Sequence, residues 1–186
     1  SNKLDYDFFS LTKLESLKDL YIYGEVFNFD ILADLKNLET LSVRSANNNT
    51  LENIKNLTNL KRLEIYNMSY EISNINAISN LNKLESLTLE GTFGNLKDFS
   101  ALKNLKNLKR LIVEKYENYE DTNKIDYSAI ANLTNLETLN IKDPNLDLDA
   151  KYLSNMTKLW EINLNSINSI INLDYLENCT NLVDIY

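Results

Sequence analysis

The side chains most able to do chemistry in this sequence are carboxylates. The chain has 27 acidic residues, one cysteine and no histidine. The lack of histidine excludes histidine-based catalytic triads and histidine metal ligands. The single cysteine excludes an internal disulfide, and we expect Cys179 to pack as a small apolar residue. Gly91 and Gly94 lack the Lys and Ser or Thr that follow the glycines of a phosphate-binding loop.

One acidic segment has the spacing of a calcium loop. Between Asp143 and Asp149, oxygen-bearing side chains occupy every second position, as they do around calcium. However, Leu148 stands where such a loop requires glycine, and Ser154 stands where it requires glutamate. We therefore interpret Leu146 and Leu148 as core contacts and Asp149 as the cap of a helical turn. No cofactor or metal is expected.

These residues are placed by a repeated pattern. Apolar residues fall at every third position from Phe99 to Leu111, and at every second position from there to Val113. The first spacing is typical of 3₁₀ turns and the second of a short strand, so Leu111 anchors a predicted strand. The equivalent anchors are Leu20, Leu41, Leu63, Leu87, Leu111, Leu139, Ile162 and Ile185.

Each anchor predicts one strand. We expect the strands at residues 19–23, 40–44, 62–66, 86–90, 110–114, 138–142, 161–165 and 184–186. Similar crossovers join them, so they should stack in parallel and in register, with the anchors inward and the residues between them on one outer face. An Asp or Asn precedes most of the turns and is interpreted as a helix cap. These residues are Asp7, Asn28, Asn74, Asp98 and Asp126.

The pattern sets the domain organisation. One repeat cannot bury its own apolar edge, so residues 1–186 are expected to form a single domain of about eight repeats. The two ends carry no polar cap, which predicts that the domain belongs to a longer protein. The net charge of −8 disfavours nucleic acid, and no apolar run is long enough to insert into a membrane.

The segments Asp98–Val113 and Ile125–Ile141 resemble leucine-rich repeats, and in particular the 22-residue class of bacterial internalin-type surface proteins. The resemblance implies an α/β solenoid. Such a solenoid is a right-handed curved array with a parallel sheet on its concave face and 3₁₀ or short helical turns on its convex face. Its known members place an asparagine five residues after the anchor. Here those positions hold Glu25, Ala46, Met68, Thr92, Tyr116, Pro144 and Ile167.

The candidate functional residues lie on the concave face and in one loop. Exposed Tyr, Trp and Arg are common at binding hot spots, and the 28-residue repeat adds an acidic loop at residues 114–124. Two residues before each anchor, Lys and Glu alternate for six strands, which we interpret as a structural ladder of charges. The candidate partner-binding residues are Tyr21, Tyr23, Arg44, Glu64, Tyr66, Glu90, Ile112, Glu114, Tyr116, Tyr119, Lys142, Trp160 and Asn163.

Two functions are consistent with this pattern. The first is a non-enzymatic, monomeric protein-binding module of a bacterial cell-surface or secreted protein, which the resemblance implies. The second is an intracellular regulatory scaffold or the targeting domain of a larger enzyme. The full gene discriminates between them, because a signal peptide with a wall anchor indicates the first and a catalytic domain the second.

Overall fold

The computed structural model describes residues 8–23, 29–68, 72–93, 95–116 and 124–186. Its main feature is an eight-stranded parallel sheet whose strands follow one another in chain order. The strands are β1 (Asp19–Ile22), β2 (Thr40–Arg44), β3 (Arg62–Met68), β4 (Ser86–Gly91), β5 (Arg110–Lys115), β6 (Thr138–Lys142), β8 (Glu161–Asn163) and β10 (Asp184–Ile185). The predicted strands are confirmed, with small differences where they end.

The anchors form one continuous row across the sheet. Leu20 pairs with Leu41, and the row continues strand by strand to Ile162 and Ile185. The anchors of β2 to β6 and β8 are almost fully buried. The pairing shifts only between β3 and β4, after Ile65. This arrangement confirms the predicted solenoid, with the sheet on its concave face.

Short turns fill the crossovers on the convex side. The 3₁₀ segments are Phe8–Lys13, Asp30–Asp34, Asn76–Asn80, Ser100–Asn104, Ser128–Asn132, Ala150–Leu153 and Leu173–Asn178. One crossover instead contains an α-helix, α1 (Asn48–Ile54). At its start the Thr50 N–H donates to Asn47 Oδ1 at 3.0 Å, and the Asn47 N–H donates to Thr50 Oγ1 at 3.3 Å. This reciprocal capping stabilises a full helical turn.

The predicted caps form hydrogen bonds of the Asx-turn type. Asn74, Asp98 and Asp126 each accept the backbone N–H of the residue two positions on, at 2.8–3.1 Å. They stand one residue before the helix cap itself, whereas Asp149 is the cap and accepts the Lys151 N–H. Each bond satisfies one of the donors left free at the start of the turn. The predicted caps Asp7 and Asn28 lie outside the described residues.

A second, two-stranded parallel sheet lies apart from the first. It consists of β7 (Asp147–Asp149) and β9 (Ser169–Ile171), and the sequence did not predict it. Leu146 and Leu148 are buried, which confirms their interpretation as core contacts. The Asp147 carboxylate accepts hydrogen bonds from Lys124, Asn168 and Ser169, and these donors satisfy its oxygens.

One continuous apolar core runs beneath the large sheet. Cys179 belongs to it and is 4% exposed, and its thiol lies 3.4 Å from the carbonyl oxygen of Leu153. It packs as the sequence predicted. In the described part of the chain no helix is long and apolar enough to cross a membrane.

Two opposite charges are also buried in this core. Lys115 and Asp143 stand four residues after their anchors in neighbouring repeats, and Lys115 Nζ lies 3.7 Å from Asp143 Oδ1. Asp143 also accepts the Tyr127 hydroxyl and the Asn145 N–H, each at 3.0 Å. Burial, followed by the Asp143 charge, raises the pKa of Tyr127 well above its ordinary value.

An asparagine ladder is present, but at a different position in the repeat from the one expected of leucine-rich repeats. The asparagine four residues before the anchor donates its Nδ2 to a backbone carbonyl of the preceding repeat, at 2.7–2.9 Å. The asparagines are Asn37, Asn59, Asn107, Asn135 and Asn181. In two other repeats the position holds Lys83 and Lys158, whose Nζ atoms donate to Asn59 and Asn135 of the preceding repeat.

Candidate functional site

The concave face carries rows of outward side chains, one from each strand. The register aligns Tyr21 with Ser42, then Glu64, Thr88 and Ile112, and finally Asn140 and Asn163. A second row follows the anchors by three residues and aligns Arg44 with Tyr66, and Glu90 with Glu114 and Lys142. The candidate residues in these rows therefore share one surface.

Two tyrosines of β1 and the segment that follows it begin this surface. The Tyr21 and Tyr23 rings are nearly parallel, with centroids 6.4 Å apart, and their side chains are 51% and 62% exposed. Ser42 lies beside Tyr21 in the same row and is fully buried although it is on the outer face. Neighbouring side chains therefore cover the small residue of β2, and the larger residues around it form the surface.

The concave surface continues on β3 with an arginine, a glutamate and a tyrosine. Arg62 Nε donates to Glu64 Oε1 at 2.8 Å, and the Glu64 side chain is only 11% exposed. The pKa of Tyr66 is raised, first by burial and then by the charge of Glu64. Arg62 was not among the predicted site residues. It lies one residue before its anchor, where the charges follow no regular order along the sheet.

Tyr116 joins the loop after β5 to the same surface. Its backbone N–H donates to the Gly91 carbonyl at 2.7 Å, and its hydroxyl donates to Glu90 Oε1 at 2.6 Å. Burial is the main cause that raises the pKa of Tyr116 to about 12, and the hydrogen bond to Glu90 adds to it. The sequence treated the face and the loop as separate candidates, whereas Tyr116 connects them. Tyr119 of that loop lies outside the described residues.

We define the tyrosine cluster by its shared position on β1 to β5 and the adjoining segments. Its members are Tyr21, Tyr23, Arg44, Arg62, Glu64, Tyr66, Glu90, Glu114 and Tyr116. Glu90 and Glu114 are directly paired across β4 and β5, and like charges in such positions repel each other. The cluster therefore combines exposed aromatic surface with charges of both signs.

The remaining candidates are farther along the sheet. Ile112, Lys142 and Asn163 lie on the concave face of β5, β6 and β8 and are partly buried. Trp160 is 41% exposed and lies in the row of the charge ladder, immediately before β8. Two strand spacings, about 10 Å, separate β8 from β5, the last strand of the tyrosine cluster. Because Trp160 also lies in the row of the charge ladder, we do not include it in the tyrosine cluster.

The alternating charges pair across strands as the sequence predicted. Glu39 lies between Lys18, at 2.7 Å, and Lys61, and Glu85 pairs with Lys109 at 2.8 Å. Hydrogen bonds from the two lysines lower the pKa of Glu39 to about 2. The carboxylates of Glu39 and Glu85 therefore form ion pairs with lysines of neighbouring repeats.

The described residues contain no group of three or more Cys, Asp or Glu side chains that could hold a metal ion. In the segment with calcium-like spacing, each carboxylate accepts a hydrogen bond from a different residue. Asp143 accepts from Tyr127 and Asp147 from Lys124, while Asp149 accepts from the backbone of Lys151. The arrangement on the concave face can present side chains to another molecule.

The fold matches solved structures. Over 96% of this chain and 49% of the other, it superimposes on an internalin, InlF, from Listeria monocytogenes with a TM-score of 0.79 and 24% identity. Internalin C2 of the same bacterium gives a TM-score of 0.59 and 24% identity over 93% of this chain and 81% of the other. The chain thus has the leucine-rich repeat fold of the internalins and spans about half the length of InlF.

A plant structure shares the same fold. The peptide hormone receptor RGFR1, solved in complex with RGF2, gives a TM-score of 0.57 and 18% identity over 91% of this chain and 26% of the receptor. No protein-family model matches the sequence, and no curated protein matches it.

Proposed function

We propose that this leucine-rich repeat chain is a protein-binding module and that the tyrosine cluster is its contact surface. The observation that carries the proposal is the grouping of four tyrosines with Arg44 and Arg62 on one open face. Tyrosine and arginine are enriched at binding hot spots because each offers a large contact area together with a polar group. Tyr21 and Tyr23 remain more than half exposed, so apolar ring surface is available to a partner.

The internal contacts of the cluster support this role. The hydrogen bond from Tyr116 to Glu90 and the ion pair between Arg62 and Glu64 hold these side chains in place. Fixed side chains lose less conformational entropy on binding. A cationic partner side chain between Glu90 and Glu114 would relieve their mutual repulsion. The cluster therefore favours a folded protein surface or a peptide that carries basic residues.

The fold similarity supports a more specific proposal. Two of the similar structures are internalins of a bacterium, and a third is a plant receptor solved with a peptide hormone. We propose that this chain belongs to a bacterial protein that acts at the cell surface or after secretion, and that it acts as a monomer without catalytic activity of its own. The pairing of the Glu39 and Glu85 carboxylates with lysines supports the last point.

The proposal is tested by comparing capture of partner proteins by three purified chains. These are the wild type, the double variant Tyr21→Ala/Tyr66→Ala, and the variant Tyr175→Ala. Tyr175 is 46% exposed on the last 3₁₀ segment, so it controls for the loss of an exposed tyrosine elsewhere. Proteins captured from host-cell surface extracts are identified by mass spectrometry. The leading candidate is then purified and titrated against all three chains.

We expect the purified partner to bind the double variant about tenfold or more weakly than the wild type, and the Tyr175→Ala variant equally well. Light scattering on the same samples checks that the chain is monomeric. Equal affinity for all three chains would remove the tyrosine cluster from the binding site.

A further inference from the structure

A second surface lies at the edge of the large sheet where its strands begin. In repeats three to five, the positions from five to one before the anchor are residues 58–62, 82–86 and 106–110. They contain one acidic residue, Glu85, and six basic residues, in a chain whose net charge is −8. The basic residues are Lys61, Arg62, Lys83, Lys106, Lys109 and Arg110. The corresponding positions of the flanking repeats are residues 36–40, with one Lys and one Glu, and residues 134–138, with one Glu and no basic residue, so the positive charge is local.

The asparagine ladder fixes two lysines at this edge without neutralising them. Lys83 Nζ donates to Asn59 Oδ1 and Lys158 Nζ to Asn135 Oδ1, each at 2.7 Å. An amide oxygen accepts the hydrogen bond but carries no formal charge, so the positive charge of each lysine is uncompensated. In the part of the chain that the structure describes, neither lysine has a carboxylate within ion-pair distance. Both ammonium groups are held in defined positions.

These lysines face a shallow depression of about 400 Å³. Lys61, Lys83, Lys109 and Lys158 line it, together with Glu85 and Glu137. Glu85 neutralises Lys109, and Lys61 is paired with Glu39 outside the depression. The depression therefore has a positive charge at Lys83 and another at Lys158, and carboxylates between them.

We propose that this edge is a docking surface for an acidic protein segment, whose carboxylates pair with Lys83 and Lys158. The charge complementarity favours such a segment over a nucleic acid. Glu85 and Glu137 would repel an unbroken phosphate backbone, whereas a polypeptide can place carboxylates opposite the lysines and neutral residues opposite the glutamates. Arg62 belongs to both this surface and the tyrosine cluster, but Lys83 and Lys158 lie outside that cluster, and the proposal does not depend on that site.

The test uses a fluorescein-labelled peptide whose glutamates are separated by neutral serines, and fluorescence anisotropy at low and at physiological salt. Lys83→Glu/Lys158→Glu is compared with Lys55→Glu/Lys103→Glu, in which two exposed lysines of the convex side are reversed. Both double variants change the net charge by the same amount. Lys83→Gln/Lys158→Gln removes the two charges without introducing new repulsion, and urea unfolding of each variant verifies that it is folded.

We expect the edge reversal to weaken peptide binding about tenfold or more, the glutamine variant to weaken it less, and the convex reversal to change it less than about twofold. Equal weakening by both reversals would assign the effect to the overall charge and overturn the proposal. So would unchanged binding by the folded edge variants. Tighter binding of a single-stranded oligonucleotide of equal charge would assign the edge to nucleic acid instead.

Discussion

Lys115 and Asp143 each carry a buried charge, and each lowers the free-energy cost of burying the other. An ion removed from water loses several kcal/mol of hydration, which the partner and the hydrogen bonds from Tyr127 and Asn145 offset. Removal of Asp143 takes away the carboxylate that lies 3.7 Å from the buried Lys115 ammonium, so the hydration lost by Lys115 is less fully offset. We therefore expect Asp143→Ala to lower the free energy of unfolding by about 3–5 kcal/mol, measured by urea denaturation.

A double substitution separates the effect of charge from the effect of packing. Lys115→Met/Asp143→Leu leaves no buried charge, so we expect it to be clearly more stable than Asp143→Ala. Lys55→Met, which breaks the exposed pair with Glu52, is the control and should cost less than about 1 kcal/mol. If the double variant were as unstable as Asp143→Ala, the loss would come from packing and not from an unpaired charge.

Glu39 makes the stability of the charge ladder depend on pH. Hydrogen bonds from Lys18 and Lys61 lower its pKa from 4.5 to about 2 in the folded chain. The ionised carboxylate therefore stabilises the fold above about pH 4.5, and this contribution is lost as the pH falls toward 2. We expect wild type to be more stable than Glu39→Gln near neutral pH, and the difference to shrink through this acid range.

Urea midpoints of both chains, measured from neutral to acid pH, check this expectation. Glu52→Gln removes an exposed carboxylate with one lysine partner and is the matched control. The urea midpoint of Glu52→Gln should stay close to that of wild type from neutral to acid pH. If the difference in stability between wild type and Glu39→Gln remained constant across the acid range, the ionised Glu39 carboxylate would not be the source of the stabilisation.

Single residues also show how far the sequence could predict the site. Tyr21, Arg44 and Tyr66 were assigned to one face because the strand period alone fixes which side chains point outward. The contact of Tyr116 with Glu90 was not predictable, because it depends on the direction in which a side chain points at a position just after the end of β5. The same limit applies to the buried pair, since Lys115 and Asp143 are charged residues with no sequence signal of burial.

At the level of elements, the asparagine ladder is the largest difference between expectation and structure. From the resemblance to leucine-rich repeats, a row of asparagines was expected after the strands, where these repeats have no asparagine. The structure has one before the strands, and the recurrence of asparagine four residues before the anchor was its sequence signal. The β7 and β9 strands had no such signal, because they are three residues long and pair only once.

The ladder bonds should contribute measurably to stability. Asn107 Nδ2 donates to the Asn82 carbonyl at 2.7 Å, and its loss leaves that carbonyl without this partner. We expect Asn107→Ala to lower the free energy of unfolding by about 0.5–1.5 kcal/mol in urea denaturation. Asn104→Ala, at an exposed position of the adjacent 3₁₀ segment, is the control and should stay within about 0.5 kcal/mol of wild type. Equal losses in the two variants would contradict a structural role for the ladder.

On the scale of the whole molecule, burial is uneven along the solenoid. Each repeat covers its neighbour, so an inner anchor is enclosed on both sides and a terminal one on a single side. Leu87 of β4 is fully buried, whereas Ile185 of β10 is 62% exposed at the equivalent position. Within residues 1–186 the inner repeats therefore carry most of the apolar burial, and in a chain of these residues β10 should open before β4.

Equivalent anchors offer a direct comparison of inner and terminal repeats. Leu87→Ala empties a closed site and should lower the free energy of unfolding by about 2–5 kcal/mol, whereas Ile185→Ala removes surface that water already reaches and should cost less than about 1 kcal/mol. Urea unfolding followed by Trp160 fluorescence measures both. Hydrogen exchange should accordingly be slower at the amides of β4 than at those of β10. Similar losses for the two variants would mean that Ile185 is covered in solution, and that the terminal repeat is as stable as the inner ones.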